Sequence, residues 1–287
     1  MRAEPIASIL ANQDAEGWWS RPGGGYGPKY RGTVWSLMFL DQLGADGADP
    51  RIRRAAHYVL SHTQAQNGGF GFSDRDDGKR PRGSQVVHCL NGNLLGALIG
   101  SGWLDDERVR ASIDWEARAI TGEGFDDYYR WATSGPGFGC GINGTLPCAW
   151  GAIKAMLGLA RIPRRRRSPR VRRALALGAE FLLSRDPAAA DYPTDTKVSS
   201  NWFKLGFPSG YVADVLQNLE VLCELGHGHD PKLGNALELV LSKQDEQGRW
   251  RNEHAYRNKL WVDVDERGRP SKWVTLRAST VLRHALG

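Results

Sequence analysis

Three cysteines stand where the sequence could gather soft ligands. Cys89 lies in "VHCLNG", Cys148 in "LPCAWG", and Cys140 in the glycine-rich "GPGFGCGINGTLPC" that feeds the second. Cys89 and Cys148 occupy equivalent starts of two successive apolar segments, so the three thiols are expected to meet at one rim. Thiolates gathered beside a His or Asp suit Zn²⁺ in tetrahedral coordination, and His88, Asp214 or water would complete the set. Ordinary buried thiols, or a reactive or redox-active thiol, are the other readings of the same residues. Cys223 sits late in its segment and reads as core. Four scattered cysteines are too few for a disulfide scaffold.

A second set of residues suits acid–base and binding work. Asp214 falls at the first turn of a candidate helix and is the best-placed acid or base; a capping carboxylate is the plainer alternative. A carboxyl that donates a proton needs its pKa raised by burial and by its neighbours. Lys154 and Tyr211 join it as candidate catalytic groups, and Lys154 and Arg277 are suited to an anionic head group. Asn91, Asn93, Gln217 and Asn218 interrupt otherwise apolar helices, which points to a polar-rimmed cavity. Trp35, Asn91, Trp150, Trp202, Phe207, Trp273 and Arg277 are the expected lining. Ring faces bury apolar chains and attract cations, although each ring could equally be packing. "GCGING" (Gly139 to Gly144) fits a dinucleotide fingerprint in letters only, because no apolar strand precedes it. "HGHD" (His227 to Asp230) reads as a surface turn with a helix cap.

These residues need elements to position them, and the elements repeat. "QDAEGWW" (Gln13 to Trp19), "QAQNGGFGF" (Gln64 to Phe72) and "QDEQGRW" (Gln244 to Trp250) share Gln, a Gly four residues on, and a following aromatic; "AITGEGFDD" around Gly124 is a weaker copy. A decayed copy is expected near "EFLLSRDPAAADY" (Glu180 to Tyr192). Before each copy runs an amphipathic segment opened by Asp or Ser, often with Pro next, as in "DPRIRRAAHYVLSHT" and "SPRVRRALALGAEFLL"; this is an N-cap followed by Pro at the first helical position. After each copy runs a more apolar segment ending in Leu-Gly or Ser-Gly, the Gly serving as a left-handed cap. The grammar predicts about five helical hairpins in two layers, with apolar helices inside and charged ones outside. Gly lets the turn bend back, and Gln is expected to bond loose helix-end groups.

With 287 residues, 41% apolar, the chain can bury a large core, and one all-α domain over 1–287 is expected. The net charge is +6, and much of it comes from "RIPRRRRSPRVRR" (Arg161 to Arg173). That run reads as a solvated loop and helical turn, with contact to anionic lipid as the alternative and no nucleic-acid-binding signature beside it. No apolar run has the length of a membrane span, and the opening stretch lacks the apolar core of a secretory signal. A cytoplasmic protein with at most peripheral membrane contact is expected.

The three strong copies resemble the QW repeats of squalene and oxidosqualene cyclases, and related repeats occur in protein prenyltransferase β subunits. The resemblance covers most of the chain and implies an α/α toroid of five to six hairpins. It implies an enzyme acting on an isoprenoid or other lipophilic substrate in a central barrel. A zinc–thiolate enzyme on the same barrel, or a non-catalytic binding module, are the alternatives. "LPCAWGAIKAML" is similar to the segment carrying a zinc-binding Cys in the prenyltransferases, with Cys148 the matching residue and Leu146 in the place of that family's Asp. Squalene-type cyclases start their cascade with Asp-x-Asp-Asp. "DVDE" (Asp263 to Glu266) and "DYPTDT" (Asp191 to Thr196) are partial echoes of it, the former in a stretch that alternates like a two-stranded hairpin.

Overall fold

A computed structural model describes residues 4–73, 77, 79–124 and 134–287. Five helical hairpins follow one another along the described residues. The first pairs a short α1 (Ile6–Ala11) with α2 (Thr33–Gln42). Next come α3 (Pro50–His62) with α4 (His88–Gly100), and α5 (Glu107–Thr121) with α6 (Ala149–Ala160). The last two join α7 (Pro169–Leu183) to α8 (Val215–Glu224), and α9 (Gly234–Leu241) to α10 (Lys272–Leu286). The even-numbered helices pack on one another in series, and α5 packs on α7 outside them. Helix α4 is buried on most faces, whereas α3, α5 and α7 bury one stripe and turn their arginines to solvent. The expected caps form: Asp49, Asp106 and Ser168 each accept a backbone N–H in the first turn of their helix. Phe125, Asp126 and Asp127 of the weak repeat lie outside the described residues.

The repeated turn ties each hairpin to the next. Gln13 Nε2 donates to the Gly17 carbonyl at 3.1 Å and to the Arg51 carbonyl at 2.9 Å. Gln64 does the same with Gly68 at 2.8 Å and Arg108 at 2.6 Å. Arg51 and Arg108 stand in the first turn of the following outer helix, so Gln bonds that turn rather than a loose helix end. The carboxyl-end carbonyls go instead to tryptophan: Trp19 Nε1 donates to Ile9 at 2.8 Å and Trp250 Nε1 to Val240 at 2.7 Å. In the decayed copy Tyr192 takes this place, its Oη donating to the Leu182 carbonyl at 2.6 Å with the same ten-residue spacing, while Trp202 Nε1 holds the Pro187 carbonyl beyond the helix at 2.7 Å. Gly17 has φ +102°, and a Cβ there would stand 2.8 Å from the Arg54 carbonyl oxygen, so the turn rests directly on the next outer helix.

Because each link rotates one hairpin against the next, the series curls round an axis and its ends meet. Arg31 Nε donates to the Leu260 carbonyl at 3.2 Å, Trp261 Nε1 donates to the Arg31 carbonyl at 3.1 Å, and Tyr30 packs on Tyr256 with centroids 4.4 Å apart. The architecture is an α/α toroid closed by the 251–263 segment. That segment is not the expected two-stranded hairpin: it runs through turns, with isolated bridges from Arg251 to Pro270 and from His254 to Gly206. Its alternation reflects Tyr256, Leu260 and Trp261 turning inward onto α2 and its preceding loop, not a sheet.

The arginine run is largely occupied. Arg161 pairs with Asp41 through two bonds of 2.9 Å, Arg166 with Asp105, Arg170 with Asp114 and Glu123, and Arg173 with Glu123. The pairs of Arg166, Arg170 and Arg173 join the outer helices, lie in solvent and contribute little, whereas Arg161 reaches the largely buried Asp41 of α2.

The closest helix contact is α4 on α6. A Cβ on Gly92 would lie 2.3 Å from the Lys154 carbonyl oxygen, and one on Gly158 would lie 2.3 Å from the Gly92 oxygen. Gly92→Ala is therefore expected to cost roughly 1–3 kcal/mol in urea unfolding. Gly96→Ala, whose added carbon meets nothing closer than 3.8 Å, is expected to be neutral or to stabilise by up to about 1 kcal/mol. Equal effects at the two positions would show that the backbones do not touch at Gly92.

Candidate functional site

The amino ends of the inner helices converge, and aromatic rings meet there. Trp35 packs on Tyr30 at 5.0 Å, on Tyr26 at 5.3 Å and on Tyr211 at 6.4 Å; Trp150 meets Tyr211 edge-on at 6.2 Å. Phe207 and Trp273 stack as a separate pair at 4.9 Å. "WFKLGFPSGY" (Trp202 to Tyr211), aromatic, basic and punctuated by Gly and Pro, suits a loop over the mouth; its Phe207 to Tyr211 part is held between the inner helices. Ser209 exchanges two hydrogen bonds with the Gln42 side chain, at 2.7 and 2.8 Å. Asn93 donates to the Gly210 carbonyl at 3.2 Å, and the Gly210 N–H reaches Tyr256 Oη at 3.0 Å. A residue larger than Gly at 210 would strike Tyr256, so Gly is what lets this segment enter.

Beneath these rings lies a charged group on the axis. Lys154 is 1% exposed, and its Nζ donates to Gln217 Oε1 at 2.8 Å. Burial pulls its pKa down to about 7; Asp214 opposes that fall and Arg277 adds to it. Asp214 caps α8, accepting from the Gln217 N–H at 2.8 Å and, through its other oxygen, from the Gly206 N–H at 3.3 Å. Burial raises its pKa against the pull of Arg277, whose Nη2 is 3.9 Å away. Arg277 makes a two-bonded pair with Glu220, at 2.6 and 2.7 Å, and holds the Gly206 carbonyl at 2.8 Å. Lys154, Asn93, Gln42, Gln217 and Glu220 border a cavity of about 250 Å³ that reaches the Asp41–Arg161 pair.

A second site lies at the rim of α6. Cys140, Ile142, Cys148, Trp150, Tyr192 and Trp202 are among the residues lining a largely apolar cleft of about 220 Å³. Cys148 is the N-cap of α6, its Sγ accepting from the Gly151 N–H at 3.4 Å. The Cys148 thiol hydrogen-bonds to Cys140 and, with the N–H groups of Ile142 and Asn143 and nearby His88, brings the Cys140 pKa down to about 6 against the effect of burial. The same contact, with burial, drives Cys148 well above an ordinary thiol. Cys89 is pushed to about 12 by burial and by Cys140. The three thiols are thus neighbours, as their helix positions require. Among the described residues no group of three His, Cys, Asp or Glu side chains is arranged to hold a metal ion. The expected zinc set of Cys89, Cys140 and Cys148 does not form such a group.

Behind this rim stands a buried network that the sequence did not disclose. His88 Nδ1 is 2.5 Å from Glu116 Oε1, and Glu116 Oε2 accepts from Asn91 Nδ2 at 2.6 Å. Asn91 Oδ1 in turn accepts from Ser112 at 2.7 Å and from the Phe70 N–H at 2.8 Å. Asn91 therefore pins α4 to α5 and to the repeat turn; it is a wall residue, not a cavity lining. Burial lowers the His88 pKa, but Glu116, the Gly135 carbonyl and Cys140 outweigh it, and the net direction is up. Glu116 shares α5 with Glu107 and Asp114, and Glu220 shares α8 with Glu224, so nothing in composition set them apart; their spacing from Ser112 and Gln217 on the same helix face was the available signal. Asn218 donates to Tyr192 Oη at 2.9 Å. Asp263, Asp191 and Asp195 are exposed, Asp263 accepting from the Asn258 N–H, whereas Asp265 of the first motif is half-buried, with Oδ2 shielded and without a hydrogen-bond partner. Cys223 packs at the far end of α8 against the Val281 carbonyl.

No family model matches the chain. Over 137 residues it is 28% identical to a protein described as a probable squalene–hopene cyclase from Sinorhizobium fredii (strain NBRC 101917 / NGR234), a stretch covering 46% of this chain and 21% of that relative. The terpenoid cyclase-like character of the repeats is thus found again by direct comparison. The chain spans about a fifth of that relative's length. Among solved structures it is similar to cellobiose 2-epimerase from Spirochaeta thermophila DSM 6192, with a TM-score of 0.51, 17% identity, and coverage of 86% of this chain and 69% of that one. A type II terpene cyclase from Scytonema, in complex with geranylgeranyl dihydroxybenzoate, aligns with a TM-score of 0.49 and 15% identity over 96% of this chain and 69% of that one. The epimerase similarity concerns the fold alone.

Lys154 yields a test of the axial group. Its folded pKa of about 7 lies below the ordinary 10.5, so folding releases a proton between those values. Stability then rises with pH across that window, and the penalty is full below it. In urea unfolding from pH 7 to pH 10, the wild type is expected to gain stability relative to Lys154→Met. A constant difference between the two would show that Lys154 keeps its charge inside the fold.

Proposed function

We propose that this terpenoid cyclase-like chain takes a lipophilic, isoprenoid-type ligand into the cleft at the amino end of α6. One observation carries the reading: an apolar cleft walled by Trp150, Tyr192 and Trp202 opens beside the exposed side chains of Ile142 and Leu146. At about 220 Å³, the cleft is smaller than the roughly 300–1,000 Å³ that encloses a drug-sized ligand. It suits one segment of a prenyl chain, with the remainder lying along Ile142 and Leu146. The sequence similarity to a squalene–hopene cyclase supports the same ligand class. In this reading Asp214, Lys154 and Tyr211 are the groups available for chemistry, with Asp214 biased toward its protonated, acidic form by burial. Trp35, Phe207, Trp273 and Arg277 support the axis and orient those groups, while Trp150 and Trp202 contact the chain.

The test is thermal unfolding with a prenyl alcohol, a prenyl diphosphate and squalene, followed by extraction of the ligand. Stabilisation by several degrees is expected, with Trp150→Ala losing most of it. Recovery of a chemically changed ligand identifies an enzyme, and unchanged ligand a binding module. The reading fails if no prenyl compound shifts the transition, or if Trp150→Ala binds as well as the wild type.

A further inference from the structure

One basic group on the axis is matched to an amide rather than to an acid. Lys154 is 1% exposed, and its Nζ donates to a neutral acceptor, Gln217 Oε1, at 2.8 Å. The carboxylates nearest to it are engaged elsewhere. Glu220 holds Arg277 through bonds of 2.6 and 2.7 Å, and Asp41 holds Arg161 through two of 2.9 Å. Asp214 caps α8 and accepts from the Gln217 and Gly206 N–H groups. A buried amine beside an amide, with a guanidinium close by, is a poor place for a proton and a good one for a lone pair. Burial accordingly brings Lys154 to about 7, with Asp214 opposing the fall and Arg277 adding to it.

Space for a reactant adjoins this amine. Lys154 borders the cavity of about 250 Å³ between α2, α4, α6 and α8, which is partly open to solvent and shares no lining residue with the cleft at the α6 rim. The volume falls below the roughly 300–1,000 Å³ of a drug-sized site, so it suits a compound of few heavy atoms. Its border of Gln42, Asn93, Gln217 and Glu220 suits hydroxyl groups more than hydrocarbon. Gly96 adds room, because a Cβ there would meet nothing closer than 3.8 Å.

We propose that the Lys154 amine forms an imine with small hydroxyaldehydes that enter the axial cavity. The Nζ lone pair attacks the carbonyl carbon, and one amine proton passes to the carbonyl oxygen to give a carbinolamine. That oxygen then leaves as water with the second amine proton, and a C=N bond replaces C=O. No electrons are transferred and no co-reactant is consumed. Gln217 is a positioning residue: by accepting one N–H of the amine it fixes the direction of the lone pair.

The experiment incubates the full chain at pH 7 with glyceraldehyde and sodium cyanoborohydride, which adds hydride to the imine carbon and fixes the adduct as a secondary amine. Adducts are counted by intact mass and placed by peptide mapping over a time course. One adduct per chain is expected, on Lys154. It should form at least about tenfold faster than on any surface lysine, which an ordinary pKa of about 10.4 keeps protonated. Lys154→Met is expected to show the slow surface labelling alone. Gly96→Leu keeps the amine but fills part of the cavity, and is expected to slow the fast reaction at least about tenfold. Circular dichroism establishes that each variant is folded, and the wild-type map decides the matter if one is not. Labelling of surface lysines with Lys154 unmodified or no faster than they are would overturn the proposal. A folded Gly96→Leu that traps as fast as the wild type would do the same. The outcome is independent of whether any prenyl compound binds at the rim.

Discussion

The structure depends on how the ends of its outer helices are satisfied. Helix-end carbonyls have no partner within their own helix, and leaving one dry and unpaired costs about 1–3 kcal/mol. Trp19 and Trp250 cover such carbonyls at the carboxyl ends of α1 and α9, while Gln13 and Gln64 reach into the first turn of the next outer helix. Each link sets not only that two hairpins touch but at what angle. Gly17 and Gly68 enforce the angle, because their turns lie against the backbone of the following helix with no room for a side chain. Curvature is the sum of these links, and the convergence of the inner helices follows from curvature.

Convergence has a consequence for charge. Bringing amino ends together gathers unpaired N–H groups and the positive ends of helix dipoles into one region. Asp214 caps α8 there, Cys148 caps α6, and Ser271 caps α10. The raised pKa of Asp214 and the lowered one of Lys154 arise because both sit on the axis, where little water remains to solvate a charge. Arg277 keeps its charge there because Glu220 binds it through two hydrogen bonds. The axis is thus a compensated group of charges in which no member can be removed without exposing another.

The same convergence narrows the space for a ligand. The segment from Phe207 to Tyr211, Trp35 and Tyr256 occupy the amino half of the axis, leaving room below them and at the α6 rim. The rim is the more apolar of the two spaces, and two of the clustered thiols line it. The His88–Glu116–Asn91 network behind it holds α4 and α5 in place, and through them the position of Cys140 relative to Cys148. Such a network is rigid only while each polar atom has its partner.

The sequence alone determined the helices, their caps and the toroid, because each rests on local chemistry repeated along the chain. Asp49 before Pro50 caps a helix wherever it folds, and Gln, Gly and an aromatic ring at fixed spacing make the same turn at Gln13 and at Gln64. It also placed Cys89, Cys140 and Cys148 near one another, since that followed from equivalent positions in successive hairpins. Only the tertiary structure decided which of these side chains faces what. Asn91 turned out to be an inter-helix pin, and Arg277 belongs to Glu220. The 207–211 segment fills the axis instead of covering it. Those outcomes depend on rotations of a few tens of degrees between packed helices. Spacing along one helix cannot fix such rotations; the backbone contact at Gly92 and the closure of Arg31 onto Leu260 do.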